Sequence, residues 1–136
     1  MFSTASKTVK AMIALCFMLS LLLGVSAAPA TSQVSWTLQP TMTAAPGRRV
    51  SGNTLTVCKG DSVRFFWGGF HGVAQTTKAN WNACSLKKYK NLIPVAGSGD
   101  KSVVMNKPGT RYVYCQVPGH CGAGQRIRII TKRTAC

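Results

Sequence analysis

Acidic residues are almost missing from this chain. Asp61 and Asp100 stand alone against 17 Lys and Arg, giving a formal net charge of +15 over 136 residues. Two carboxylates so far apart in sequence make no general acid–base pair, and no Ser-His-Asp set can be assembled, so an enzyme is not expected. Histidine is equally scarce, with only His71 and His120 present. Long helical periodicity, heptads, internal repeats and low-complexity tracts are absent, which excludes a metal site built in a four-helix bundle. There is no Asn-x-Ser/Thr acceptor, so N-glycosylation of that kind is not expected.

One long apolar run is present. Lys7 and Lys10 precede Ala11 to Val25, and the small residues Ser26, Ala27 and Ala28 follow. This order of charged, apolar and small residues predicts a secretory signal over residues 1–28, cleaved after Ala27 or Ala28 or, later, at Ala28-Pro29-Ala30. The run is short for a spanning helix, so a retained anchor is the weaker reading. The C-terminal Thr131-Lys132-Arg133-Thr134-Ala135-Cys136 is not the apolar tail that a lipid-anchor signal needs. The expectation is an extracellular protein of the apoplast or cell wall, a monomer with a single domain over residues 29–136.

Without Lys7 and Lys10, fifteen basic residues face two acidic ones, a net charge of +13. Such a surface repels its own copies and attracts polyanions. Outside a cell these are acidic cell-wall polysaccharides, anionic surfaces or acidic protein partners. Specific nucleic-acid binding is not expected, because the basic residues are scattered and no recognition motif accompanies them. A merely solubilising surface explains the charge about as well.

The remaining sequence reads as short strands between turns. Val34, Trp36 and Leu38 alternate with polar residues, as a half-buried strand requires. A loop from Pro40 to Arg49 leads to strands over Thr54–Cys58 and Ser62–Trp67, joined by a turn at Lys59-Gly60-Asp61. Gly68 and Gly69 are read as ending the second strand, with extended chain resuming over Val73–Thr77. Residues 79–86 suit a short helix capped by Asn80. Asn91–Val95, Ser102–Met105, Arg111–Cys115 and Arg126–Thr131 complete the strands, with loops at Gly97–Asp100 and Asn106–Gly109. This spacing predicts an all-β, Greek-key β-sandwich of about seven strands.

The stretch Tyr114-Cys115-Gln116-Val117-Pro118-Gly119-His120-Cys121-Gly122-Ala123-Gly124-Gln125 carries the chemistry. A thiol, an imidazole and an amide oxygen occur at two successive five-residue steps. Pro118 and Gly119 let the loop turn tightly enough for them to meet. His71, from a distant strand, supplies a second imidazole. Two imidazoles and a thiolate forming a plane, with a weak axial donor, suit one copper ion cycling between Cu(I) and Cu(II). The predicted ligands are therefore His71, Cys115 and His120, with Gln125 axial. Five cysteines follow the signal segment: Cys58, Cys84, Cys115, Cys121 and Cys136. An odd number in an oxidising compartment leaves at least one sulfur outside an intrachain bond. Fifteen arrangements leave one sulfur out and pair the other four; leaving Cys115 as the metal thiolate is preferred.

Four stretches together resemble the phytocyanins, blue copper proteins of the cupredoxin class. They are Gly60-Asp61-Ser62-Val63-Arg64-Phe65, His71-Gly72-Val73, Asn80-Trp81-Asn82-Ala83-Cys84, and Cys115-x4-His120-Cys121-x3-Gln125. The resemblance spans Gln33 to about Thr131. It implies a cupredoxin-like sandwich, copper ligation by His71, Cys115 and His120, a disulfide between Cys84 and Cys121, and one-electron transfer with a redox partner that the sequence does not name. Gln125 in the axial place is as in stellacyanins, whereas the basic, untailed single domain is as in plantacyanins. Gly72 departs from the family, which often has a polar residue there, and implies a looser or retuned site. Cys58 and Cys136 are additional to the usual pair and are predicted to bond to each other. The alternative leaves Cys136 free or bonded between chains.

Other readings use the same residues. A zinc site would take His71, Cys115, His120 and Cys121, but adjacent residues in extended chain point apart. Met42 and Met105 are alternative sulfur donors, better read as packing residues. Trp36, Trp67, Trp81, Tyr112 and Tyr114 are read as packing residues, with Tyr114 facing away from Cys115. A different class of function, a basic binding or signalling protein in which copper redox is incidental, would rest on charge alone.

Overall fold

The computed structural model describes residues 27–134 and 136. The expected signal segment therefore lies outside the described residues except for Ala27 and Ala28. Among the described residues there are eight strands: β1 (Thr31–Ser35), β2 (Thr41–Thr43), β3 (Arg49–Ser51), β4 (Thr54–Cys58), β5 (Ser62–Thr76), β6 (Tyr89–Val104), β7 (Gly109–Tyr114) and β8 (Arg126–Lys132). One short helix, α1 (Lys78–Ala83), lies between β5 and β6. No helix among the described residues is long and apolar enough to cross a membrane.

Strand order is β2-β1-β5-β7-β8-β4-β3, with β6 on the other side of β5. The first third of β5 pairs in parallel with β1, from Thr31↔Ser62 to Ser35↔Phe66. Its last three residues pair antiparallel with β7, from Ala74↔Tyr114 to Thr76↔Tyr112. A single strand thus passes from one sheet into the other, and β6 follows it along its length. The result is a nearly closed β-sandwich. Its interior is filled from both sheets by Val34, Trp36, Leu55, Phe65, Ile127 and Ile129. β8 shows why: alternate residues Ile127, Ile129 and Thr131 are buried, while Arg126, Arg128 and Ile130 are more open.

The expected fold class holds, with differences of local origin. β5 does not end at Gly68-Gly69. Its pairing with β6 slips between Gly68 and His71, again between His71 and Val73, and again between Val73 and Ala74. The glycines accommodate an extra residue in a bulge rather than a break. Likewise β6 runs unbroken through Pro94 and the supposed loop at Gly97–Asp100. Pro94 falls between the paired residues Ile93 and Ala96, where the ladder is already irregular. Gly99 lies under the Trp67 ring, where a Cβ would collide with the ring carbons. Three residues of the Pro40–Arg49 loop form β2. Leu38 lies beyond β1 and is 43% exposed, so the alternation that buries Val34 and Trp36 stops one step earlier. The helix is capped by Thr77, whose hydroxyl accepts from the Asn80 amide at 3.2 Å, and not by Asn80 itself.

The end of the sandwich where β4 closes on β8 is fastened by Asp61. Its carboxylate accepts from the amides of Ala30 (2.9 Å) and Cys58 (2.8 Å), and from Arg48 Nε (2.8 Å) and Nη2 (2.6 Å). Cys58 is also bonded to Cys136, with Cα atoms 5.6 Å apart. Burial alone would push the Asp61 carboxyl up, but these bonds outweigh it and hold it down at about 2. A carboxylate depressed in the folded state stabilises the fold above its unfolded value and loses that contribution as pH falls through the folded one. Stability should therefore drop by about 2 kcal/mol between pH 4 and pH 2. Chemical denaturation across that range checks it, because an Asp61→Asn variant should lose stability at neutral pH and lack this part of the acid limb.

Candidate metal centre

At the other end of β8, Cys115, His120 and Gln125 are brought together by main-chain bonds. The Cys115 amide donates to the Gln125 carbonyl at 3.0 Å, closing the loop as the β7–β8 ladder begins. Within it the His120 amide donates to the Val117 carbonyl at 3.2 Å. Gly119 has φ +84°, so Val117-Pro118-Gly119-His120 is a turn with Pro second and Gly third. That is the local reason for the five-residue step. The Gln125 amide donates in turn to the His120 carbonyl at 3.0 Å. His71 arrives from the bulged part of β5, where an irregular ladder redirects the side chain inward.

The four predicted donors converge. One donor atom from each of His71, Cys115 and His120 lies within 4.8 Å of the other two. His71 Nδ1 is 3.0 Å from His120 Nδ1, and Cys115 Sγ is 3.5 Å from His120 Nδ1. Gln125 Oε1 is 3.1 Å from His120 Nδ1. Cys115 and Gln125 are fully buried, His71 is nearly so, and His120 is half-buried. Burial lowers the His71 pKa, as does the neighbouring His120 ring, while Gln125 opposes the change. Burial pushes the Cys115 thiol up, against hydrogen bonds from the Gly72 and Val117 amides. The protein thus disposes the His71 imidazole to be a neutral donor and surrounds the sulfur with two N–H groups.

The donor set fits a copper ion. Two imidazole nitrogens meeting at 3.0 Å have one proton at most to share between them, and a carbonyl oxygen and a sulfur face the same point. A cation answers all four lone pairs at once. A thiolate with two imidazoles selects copper or zinc over hard cations. Zinc would need Cys121 to complete a closed N/S set. Cys121 is instead bonded to Cys84, with Cα atoms 5.5 Å apart. Cys115 is the free cysteine among the described residues. Met105 is buried beside the Asp61 turn, where its amide donates to the Asp61 carbonyl, and Met42 packs on the core from β2.

Two residues contribute more than sequence reasoning assigned them. Trp36 is a fully buried core residue, and it also braces the centre twice. Its carbonyl accepts from Gln125 Nε2 at 3.0 Å, which turns Oε1 toward the histidines. Its indole N–H donates to the Gly72 carbonyl at 2.8 Å, beside His71. Gln116 fills the space that a side chain at residue 72 would take. A Cβ on Gly72 would lie 2.6 Å from Gln116 Nε2, which itself donates to Asn91 Oδ1 at 3.0 Å. Gln116 thus packs the backbone beside His71 where Gly72 brings no side chain. Nothing in periodicity or spacing points to Gln116, because its partners come from β6 across the sheet. Tyr114 faces away from Cys115, as the alternation requires, and its hydroxyl donates to the Ser85 carbonyl at 2.9 Å.

The comparisons with known proteins agree with this geometry. A family model described as a plastocyanin-like domain matches residues 50–125, which include all four donors. The blue copper protein of Pisum sativum is 30% identical over 81 residues, 59% of this chain and 41% of that protein. The stellacyanin of Toxicodendron vernicifluum is 31% identical over 62 residues, 44% of this chain and 53% of that protein. The chain thus spans about half the length, or less, of these curated relatives. In fold, it is similar to spinach plantacyanin, with a TM-score of 0.55 at 24% identity, over 75% of this chain and 99% of that one.

Two substitutions test the bracing. Gly72→Ser should force Gln116 off Asn91 and cost about 1–3 kcal/mol, as overpacking does; pairing it with Gln116→Ala should recover most of the loss. Trp36→Phe keeps the carbonyl that orients Gln125 but leaves the buried Gly72 carbonyl without its donor. It should destabilise by about 1–3 kcal/mol. Thermal or denaturant unfolding measures both.

Proposed function

The chain belongs to the plastocyanin-like domain family, among the phytocyanins, and on that premise we propose that it is a secreted carrier of single electrons at one copper ion. The convergence of His71, Cys115, His120 and Gln125 donor atoms at one buried point carries this reading. Bound there, copper supplies a one-electron couple between Cu(I) and Cu(II). The chain's own residues do the rest. Cys115 and the two imidazoles offer sulfur suited to the reduced state and nitrogen suited to the oxidised state. The 115–125 loop and the β5 bulge hold them in place, so oxidation and reduction require little rearrangement. Gln125 presents a harder oxygen than a thioether and favours the oxidised ion. His120 is the half-buried member of the set and offers the route to a redox partner at the surface.

Catalysis of bond-making is not part of this reading. Both histidines are committed to the centre, and both carboxylates are held by arginines. Arg48 binds Asp61, and Arg64 Nε donates to Asp100 at 2.7 Å. No general base is left over. Secretion is supported by the apolar leader in the sequence and by two disulfides, which persist in oxidising compartments.

Voltammetry of the copper-loaded protein tests the proposal. A reversible one-electron wave is expected, shifted to higher potential by Gln125→Met and absent in Cys115→Ser. An irreversible response, or a wave that survives Cys115→Ser unchanged, would overturn it.

A further inference from the structure

We propose that the outer face of β3, β4 and β8 is a binding groove for a linear acidic polysaccharide, separate from the metal centre. Register builds this face. Arg49 pairs with Thr56, Ser51 with Thr54, Thr54 with Arg128, and Cys58 with Lys132. Alternation then puts Arg49 and Ser51, Thr54 and Thr56, and Arg128 and Lys132 on one side of three adjacent strands. The inward residues Leu55, Val57, Ile127 and Ile129 fill the core. The outward ones line a groove of about 290 Å³. Arg128 is held ready by a bond from its Nε to Thr54 Oγ1 at 3.0 Å, which leaves its two terminal nitrogens for a ligand. Arg49 and Lys132 are exposed and have no carboxylate partner among the described residues.

The missing acids sharpen the argument. Asp61 is consumed by Arg48 beneath one end of the groove, and Asp100 by Arg64 on another strand. The cations of the groove therefore look for anions outside the chain. Cations repeated along the strands, over a floor of hydroxyl groups, suit a chain of carboxylated or sulfated sugars. Guanidinium groups bind the acid groups, and Ser51 and Thr56 can exchange hydrogen bonds with sugar hydroxyls, while buried Thr54 holds Arg128. A bilayer would be met better by a face with apolar side chains to insert, and single-stranded nucleic acid by aromatic stacking platforms. No aromatic residue lines the groove, and its apolar side chains are the half-buried Ile130 and the disulfide-bonded Cys58, neither placed to insert into a bilayer. A second basic recess, lined by Lys90, Lys107 and Arg111, sets its cations around Leu92, Val104 and Pro108, with Thr110 as its one hydroxyl side chain beside the amides of Gln75 and Asn106.

The groove starts three residues along β8 from Gln125 and runs away from the centre, so a bound polymer leaves His120 uncovered. The inference does not depend on the redox reading. Binding of the copper-loaded protein to polygalacturonate and to heparin, measured over a range of salt, tests it. The double variant Arg49→Gln/Lys132→Gln should weaken binding to at least one polymer about tenfold or more and reduce the salt slope by roughly 1 to 2. It leaves Arg128 and its bond intact. Lys90→Gln/Lys107→Gln removes the same charge elsewhere and should change affinity less than twofold. Equal weakening by both variants would show that net charge alone attracts the polymer, and would overturn the groove. So would tighter binding to anionic vesicles or to single-stranded oligonucleotide than to either polysaccharide. An unchanged visible spectrum in the groove variant confirms that the metal centre was not what changed.

Discussion

The metal end of this protein depends on one main-chain hydrogen bond, from the Cys115 amide to the Gln125 carbonyl. It joins the first and last donors of the loop where β7 and β8 begin to pair. A thiol, an imidazole and an amide thereby become one cluster instead of three positions on a flexible segment. The Pro118-Gly119 turn inside the loop makes the closure possible, and the Cys84–Cys121 bond fixes its outer wall to the end of α1. That disulfide spans 37 residues, a loop whose closure stabilises the fold by about 4 kcal/mol in the chain-entropy model. His71 comes from another strand, so the two sheets must also be in register before the set is complete.

That second requirement is met by β5. Its first part belongs with β1 and its last part with β7, and the slips in register at His71 lie between the two. The bulge turns a structural necessity, crossing between sheets, into the delivery of a ligand. Trp36 couples the same region to the loop, holding Gly72 through its indole and Gln125 through its carbonyl. The opposite end is governed by a different kind of force. There Asp61 gathers Arg48, Ala30 and Cys58, and a disulfide reaches Cys136. One end is built around nitrogen, sulfur and oxygen donors facing a point, the other around a buried ion pair.

Much of this was legible in the sequence, because the informative residues announce themselves locally. Alternation in Arg126–Ile129 placed β8, and the Cys115, His120 and Gln125 spacing with Pro118-Gly119 predicted the loop. Resemblance to the phytocyanins supplied the Cys84–Cys121 pair. What was not legible depends on partners distant in the chain. Gly68-Gly69 and Gly97–Asp100 read as breaks because glycine weakens isolated strands; paired against each other they remain strand, one length closing under the Trp67 ring. Asn80 read as the cap from its residue type, but the helix starts at Lys78 and Thr77 takes the role. Gln116 and the bracing by Trp36 have no sequence signature, since each acts through residues tens of positions away.

Copper binding here requires Cys115 and the two histidines to act together. A titration of the purified mature protein with Cu(II), followed by visible absorption, tests that most directly. An intense blue thiolate-to-copper band saturating at one ion per chain is predicted. A colourless protein that instead retains zinc after dialysis would contradict it.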